Sequence, residues 1–174
     1  MLDISNAAEA TISGVELEAS GAIGPGLRLG GHLAWLDAMY ERYVALDVGG
    51  ATGDVAGKRL NNAPEWSGRL WLEWSQSAGR LGTLSLRAAS RSQSTVFFTP
   101  FNDAVQRQSP YGLLELSAEL GPRHFTVSAY ARNLTDEGYI VGSLGSPPPA
   151  IGGLPAQPRE WGVRLAVRLA TRQP

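Results

Sequence analysis

Seven windows of this 174-residue chain alternate apolar and polar residues at period two. That period suits a strand with one apolar and one polar face, and it excludes an amphipathic helix over the same residues. Near 11–20, Val15, Leu17 and Ala19 share a face opposite Glu16 and Glu18. Near 27–43, Leu27, Leu29, Leu33 and Trp35 oppose Arg28 and His32. Near 65–76, Trp66, Leu70, Leu72 and Trp74 oppose Ser67, Arg69 and Glu73. Near 81–92, Leu84, Leu86 and Ala88 oppose Ser85 and Arg87. Near 111–120, Leu114, Leu116, Ala118 and Leu120 oppose Glu115, Ser117 and Glu119. Near 124–133, Phe125, Val127, Ala129 and Ala131 oppose Thr126, Ser128 and Arg132. Near 159–169, Trp161, Val163, Leu165, Val167 and Leu169 oppose Glu160, Arg164 and Arg168.

The connections between these windows alternate in length. Segments 21–26, 77–80 and 121–123 are short and marked by Gly or Pro, as tight turns require. Segments 44–64, 93–110 and 134–158 are long. Ordinary compact domains rarely carry three structureless loops of such length. Short turns at one end and long loops at the other describe an all-β, antiparallel up-and-down meander, the pattern of outer-membrane barrels.

Composition narrows the function classes. With 15 basic and 16 acidic residues the net charge is −1, so no basic excess exists to neutralise phosphates, and nucleic acid is not an expected partner. The absence of Cys removes disulfides, thiolate metal sites and cysteine nucleophiles. No apolar run is long enough for a transmembrane helix. The first residues, Met1-Leu2-Asp3-Ile4-Ser5-Asn6, have neither the basic nor the apolar region of a signal peptide.

The aromatics give the apolar face two ends. Trp35, Trp66 and Trp161 fall at the long-loop ends of their strands, and Trp74 and Phe125 at the short-turn ends. These five are the expected membrane-interface girdle. Eight residues separate Trp66 from Trp74. At about 3.3 Å per residue and a tilt of about 40° that span projects to roughly 20 Å, near the apolar band of about 25 Å in such barrels. Trp71 departs from the pattern, since its parity puts it on the polar face.

Several short elements now carry a resemblance. Asn6-Ala7-Ala8-Glu9-Ala10 with Gly14-Val15-Glu16-Leu17-Glu18 is similar to a strand of TonB-dependent outer-membrane receptors. Pro25-Gly26-Leu27-Arg28-Leu29 with Trp35-Leu36-Asp37-Ala38 and Tyr40 resembles the family's next hairpin. Gly57-Lys58-Arg59-Leu60 with Asn62-Ala63-Pro64-Glu65-Trp66-Ser67 resembles its loop-to-strand element. Tyr111-Gly112-Leu113-Leu114, Arg132-Asn133-Leu134-Thr135-Asp136 with Tyr139, and Pro158-Arg159-Glu160-Trp161-Gly162-Val163 resemble its last strands. The resemblance spans nearly the whole chain and implies the C-terminal portion, residues 1–174, of a 22-stranded barrel.

The chain departs from the family in three respects. It shows no plug domain and no TonB box, Leu169 stands where a terminal aromatic is expected, and seven strands are about a third of the barrel. Single-chain bacterial barrels have an even strand number of at least eight, and an open sheet in lipid leaves backbone groups unpaired. The expectation is therefore a fragment with two free edges.

Nothing in the sequence supports catalysis. His32 and His124 have no metal-spaced partners, and no metal or cofactor is expected. The carboxylates Glu16, Glu18, Glu115 and Glu119 share a face with Arg28, Arg69, Arg87, Arg132, Arg164 and Arg168, so ion pairing inside the barrel is expected of them. The long loops are the expected binding elements, because a rigid scaffold presents function on its loops. Tyr43, Phe97, Phe98, Phe101 and Tyr139 are their candidate ligand residues, with packing of the loops as the competing role.

The resemblance implies uptake of a scarce ligand, most often an iron–siderophore complex, across the outer membrane of a Gram-negative bacterium. Its implied partners are outer-membrane lipid, the remaining N-terminal barrel and plug, and the TonB complex reached only through that plug. The fragment alone is not expected to transport. Two other readings stay open: a small soluble β-barrel binding an apolar ligand, and a gene remnant without function.

Overall fold

The computed structural model describes residues 9–46, 50–122, 124–145 and 151–168. Asn6-Ala7-Ala8, the Pro147-Pro148-Pro149 run and Leu169 lie outside the described residues. The strands are β1 Glu9–Gly24, β2 Leu27–Arg42, β3 Val44–Leu46, β4 Thr52–Asp54, β5 Trp66–Ser77, β6 Thr83–Gln93 and β7 Val96–Phe97. They continue as β8 Arg107–Gln108, β9 Tyr111–Gly121, β10 Phe125–Arg132, β11 Ile140–Gly145, β12 Ile151–Pro155 and β13 Glu160–Val167. A single 3₁₀ turn, Gly79–Leu81, is the one helical element among the described residues.

Seven of these strands form one antiparallel sheet in the order β1-β2-β5-β6-β9-β10-β13. They coincide with the seven alternating windows to within a few residues, and β1 runs longer at both ends. Every neighbour in the sheet is the next long strand in the chain, so the sheet is an up-and-down meander with β1 and β13 as open edges. The barrel is not closed.

The hydrogen-bond register holds each face together across all seven strands. Leu17 pairs with Leu33, and Leu29 with Leu72; Leu72 leads through Ala88, Leu116 and Ala131 to Trp161. The opposite face carries Glu18, His32, Arg69 and Arg91 along a single row. A one-residue slip would exchange the two faces, so the alternation itself pins the register. The apolar face is uncovered: Leu33, Leu70, Val163 and Leu165 are exposed, and Trp161 keeps 77% of its surface.

One short turn shows why it needs glycine. Gly26 stands at φ 67, and a Cβ there would lie 2.1 Å from the Ser75 carbonyl oxygen. The Ser75 amide in turn donates to the Gly26 carbonyl at 2.8 Å. The β1–β2 hairpin is thereby docked onto β5.

Among the described residues two buried apolar side chains, Ala89 and Leu113, lie on the polar face of the sheet itself, and the others gather at its long-loop end. Ala38, Ala45, Val55 and Val96 are buried where the long connections meet the sheet, and Val55 is fully enclosed at 0% exposure. The sequence reads those connections as long loops. Each carries its own two-stranded ladder, β3–β4, β7–β8 and β11–β12. The ladders give the loop backbone partners that the sheet no longer supplies.

Candidate functional site

The first two long loops are tied into one unit. The amide of Arg59 donates to Asn102 Oδ1 at 2.8 Å, and Asn102 Nδ2 donates back to the Arg59 carbonyl at 3.0 Å. Asn62 N–H donates to the Phe97 carbonyl, and Leu60 N–H to that of Ala38. Arg59 closes an ion pair with Glu65 at 2.6 Å, bracing the entry to β5. Asn62 and Asn102 both sit at positive φ, near 55°, where Asn is among the few tolerated residues.

The third loop is clamped from both sides. Asn133, 5% exposed, accepts from the Glu137 amide at 2.8 Å and donates to the carbonyls of Glu137 and Gln157 at 2.9 and 3.3 Å. Asp136 accepts from the Arg159 amide and pairs with its guanidinium at 3.7 Å. Gln108 Oε1 accepts from the Ile140 amide at 2.7 Å, and Gln106 Nε2 donates to Ser143 at 3.2 Å, joining this loop to the second. Both glutamines are buried.

The five loop aromatics do not converge on one pocket. Tyr43 packs on Tyr40 with ring centroids 5.2 Å apart, and its carbonyl accepts from the Val55 amide. Burial raises the Tyr40 phenol pKa above its usual value, and neighbouring Tyr43 adds to that. Phe97 lies in β7 opposite Arg107, and Phe98 N–H donates to the Gln106 carbonyl. Phe101 stands over Gly53, where a Cβ would come within 2.9 Å of its ring. Tyr139 stacks on Tyr111 at 4.3 Å. Tyr111 was not among the expected site residues. Its signal was parity, since its register partner is Gln93 on the polar face.

The polar face of the sheet is organised by charge. Arg87 pairs with Glu73 at 2.9 Å, Arg132 with Glu160 at 3.5 Å, and Arg69 with Glu115 at 3.8 Å. Among the described residues Glu16, Glu18, Glu119, Arg28, Arg164 and Arg168 form no ion pair, so the expected pairing is partial. Trp71 lies between two guanidiniums, Arg87 at 4.6 Å and Arg28 at 5.9 Å from its ring centre. A tryptophan on the polar face thus offers its ring to both cations, while Glu73 stands in register between them. Its ring covers Gly30, where a Cβ would lie 2.5 Å from the ring.

On the other face Trp35 and Trp66 are direct register partners with centroids 6.5 Å apart. Trp74 lies on the row of Leu27 and Leu86, Trp161 opposite Ala131, and Phe125 opposite Val167.

Solved structures share this wall. The chain superposes on the ferric yersiniabactin uptake receptor FyuA from Yersinia pestis with a TM-score of 0.78 and 21% identity, over 93% of this chain and 24% of that one. The siderophore receptor PiuA from Acinetobacter baumannii gives a TM-score of 0.71 and 18% identity, over 91% of this chain and 22% of that one. The ferric preacinetobactin receptor BauA from Acinetobacter baumannii gives 0.65 and 21%, over 92% and 22%. At these identities the likeness is one of fold, and the chain spans about a quarter of their length. The sequence profile of the family described as TonB dependent receptor-like, beta-barrel matches residues 2–134. With six of the seven strands of the meander inside that match, the chain belongs to the TonB-dependent receptor-like β-barrel family.

Proposed function

We propose that this chain forms wall and outer loops of an outer-membrane receptor that imports a scarce ligand, of which an iron–siderophore complex is the leading candidate. The family is one of outer-membrane barrels in Gram-negative bacteria, and the solved neighbours are uptake receptors. The observation that carries the reading is the pairing of an uncovered apolar face with three loops locked together at one end of the same sheet. Lipid covers the first, and the second surrounds the entrance.

The girdle residues support the orientation. The row through Trp74, Leu86 and Ala118 reaches Ala129, and Phe125 stands four residues nearer the short turns after three strand steps. The row that reaches Trp161 starts at Leu72, six residues below Trp66, after four steps. Both aromatic lines thus descend in the same direction by about 1.3 to 1.5 residues per strand. With about 3.4 Å along a strand and 4.8 Å between strands, that stagger corresponds to a tilt of roughly 45°, at the upper end of the range for such barrels. Two lines descending in parallel delimit a band of constant height.

The loop aromatics Tyr43, Phe97, Phe98, Phe101 and Tyr139 belong to the entrance in this reading, and two of them reach the strand wall, Tyr43 at Tyr40 of β2 and Tyr139 at Tyr111 of β9. The plug and the contact with TonB belong to other parts of the receptor. Uptake of radioiron chelates in a Gram-negative host tests the proposal. A receptor containing this wall and a plug is expected to take up chelate only when TonB is present. TonB-dependent uptake by the seven-strand wall alone would overturn the division of labour.

A further inference from the structure

The charges on the inner face are not evenly spread. Over their paired lengths β2, β5 and β6 present Arg28, Arg69, Arg87 and Arg91 inward, against the single carboxylate Glu73, which Arg87 already occupies. The acidic residues stand on the flanking strands, Glu16 and Glu18 on β1, Glu115 and Glu119 on β9.

Within this basic stripe Arg69 and Arg91 are direct register partners. Like charges directly opposite on neighbouring strands repel and destabilise the pair. Glu115 of β9 reaches Arg69 across the intervening β6, at 3.8 Å, and both side chains remain close to half exposed. Arg91 is exposed and forms no ion pair among the described residues. A repulsive pair kept at a pinned register is stabilised by an anion placed between its members.

The stripe also has an upper end. Tyr111 stands one inward row above Arg91, opposite Gln93, and its phenol interacts electrostatically with Arg91. Tyr139 stacks on Tyr111 from the third loop. A continuous line therefore runs from the entrance to the inner wall: Tyr139, Tyr111, Arg91, Arg69, and beyond them Trp71 between Arg28 and Arg87.

Resting on the uptake reading above, we infer that the Arg69–Arg91 pair, reached past the Tyr111–Tyr139 stack, is a contact site for an anionic chelate entering the barrel. The stacked phenols offer a π-surface to a planar chelating group, and the two guanidiniums offer paired donors to its charge. A positive stripe with acidic flanks also favours movement of the anion along the wall over spreading across it.

The test uses a receptor containing this wall, purified in detergent, with tryptophan fluorescence as the binding signal. The probes are a ferric tris-catecholate, a trianion, and a ferric tris-hydroxamate, which is neutral. The parent is expected to prefer the trianion. In the double variant Arg69→Gln, Arg91→Gln that preference falls by about tenfold or more, the scale of losing a charge-assisted contact. The variant Arg69→Lys, Arg91→Lys recovers part of it.

A double glutamine variant that keeps the parent's preference overturns the inference and leaves the uptake reading standing. If it keeps the preference but unfolds at lower temperature, the pair instead receives a carboxylate from elsewhere in the receptor, which also overturns it. A parent that prefers the neutral chelate overturns the inference alone. A parent that binds neither chelate overturns this inference and removes the iron chelate as the candidate ligand of the uptake reading.

Discussion

Asn133 shows how a single side chain holds a loop in this chain. It is 5% exposed, sits at φ 47 and bonds to the amide and carbonyl of Glu137 and the carbonyl of Gln157. Asn133→Ala strands those backbone groups in a buried setting, which costs about 1–3 kcal/mol. Ala also tolerates positive φ poorly. The expected outcome is faster proteolysis within 134–158 and a lower unfolding temperature, with the sheet intact. Unchanged cleavage would remove the clamp from the account. Gly30 makes a second case. A Cβ there meets the Trp71 ring at 2.5 Å, and Ser20 closes the other side at 2.7 Å. Gly30→Val is expected to expel Trp71 from between Arg28 and Arg87, read as a shift and loss of intensity in its tryptophan emission. In the sequence Asn133 was visible as part of a motif, and Trp71 as a breach of parity. Neither role was legible, because Gln157 lies 24 residues from Asn133 and Arg28 lies 43 from Trp71. Only the register brings such positions together.

At the scale of the strand, alternation is strong because the two faces meet different solvents. Leu70 projects from the apolar face between the girdle residues Trp66 and Trp74 of β5, with 58% of its surface uncovered. Leu70→Arg is expected to destabilise the folded barrel by about 2–4 kcal/mol in a bilayer, the cost of a cation on the lipid side near the midplane. Ser85→Arg, on the polar face and directly opposite Glu119, is expected to change stability by less than about 1 kcal/mol, since it gains a cross-strand partner. Urea titration of both variants in lipid vesicles checks the contrast, and equal losses would refute the assignment of the faces. The same physics explains what stayed hidden. Seven long strands were legible because each repeats its face three to five times, as Trp161, Val163, Leu165 and Val167 do in β13. The ladders β3–β4, β7–β8 and β11–β12 are two to six residues long and too short to show a period. Their stability comes from bonds between loops, such as Asn102 with Arg59 and Gln108 with Ile140, which leave no local pattern.

For the whole molecule the parity of the strand count decides what the wall can join. In a meander of seven strands the first and last run in the same direction, so β1 and β13 point the same way across the membrane. Two copies inserted in the same orientation can then meet edge to edge only as parallel pairs, whereas bacterial single-chain barrels close antiparallel with an even count. Antiparallel closure needs an odd number of strands from elsewhere, the outermost of them running opposite to β1 and to β13. Until those strands arrive, β1 and β13 each present a row of unpaired backbone groups, and each unpaired group costs several kcal/mol in hydrocarbon. Lipid therefore rewards the apolar face and penalises the edges, and the penalty grows with the length of β1, which spans 16 residues. The seven-strand wall expressed alone is accordingly expected to yield no protease-resistant monomer in outer membranes. Co-expression with a partner barrel segment of odd strand count is expected to restore resistance, with disulfide trapping between the two segments at β1. A protease-resistant monomer of the wall alone, or trapping between two copies of the wall, would refute the closure argument.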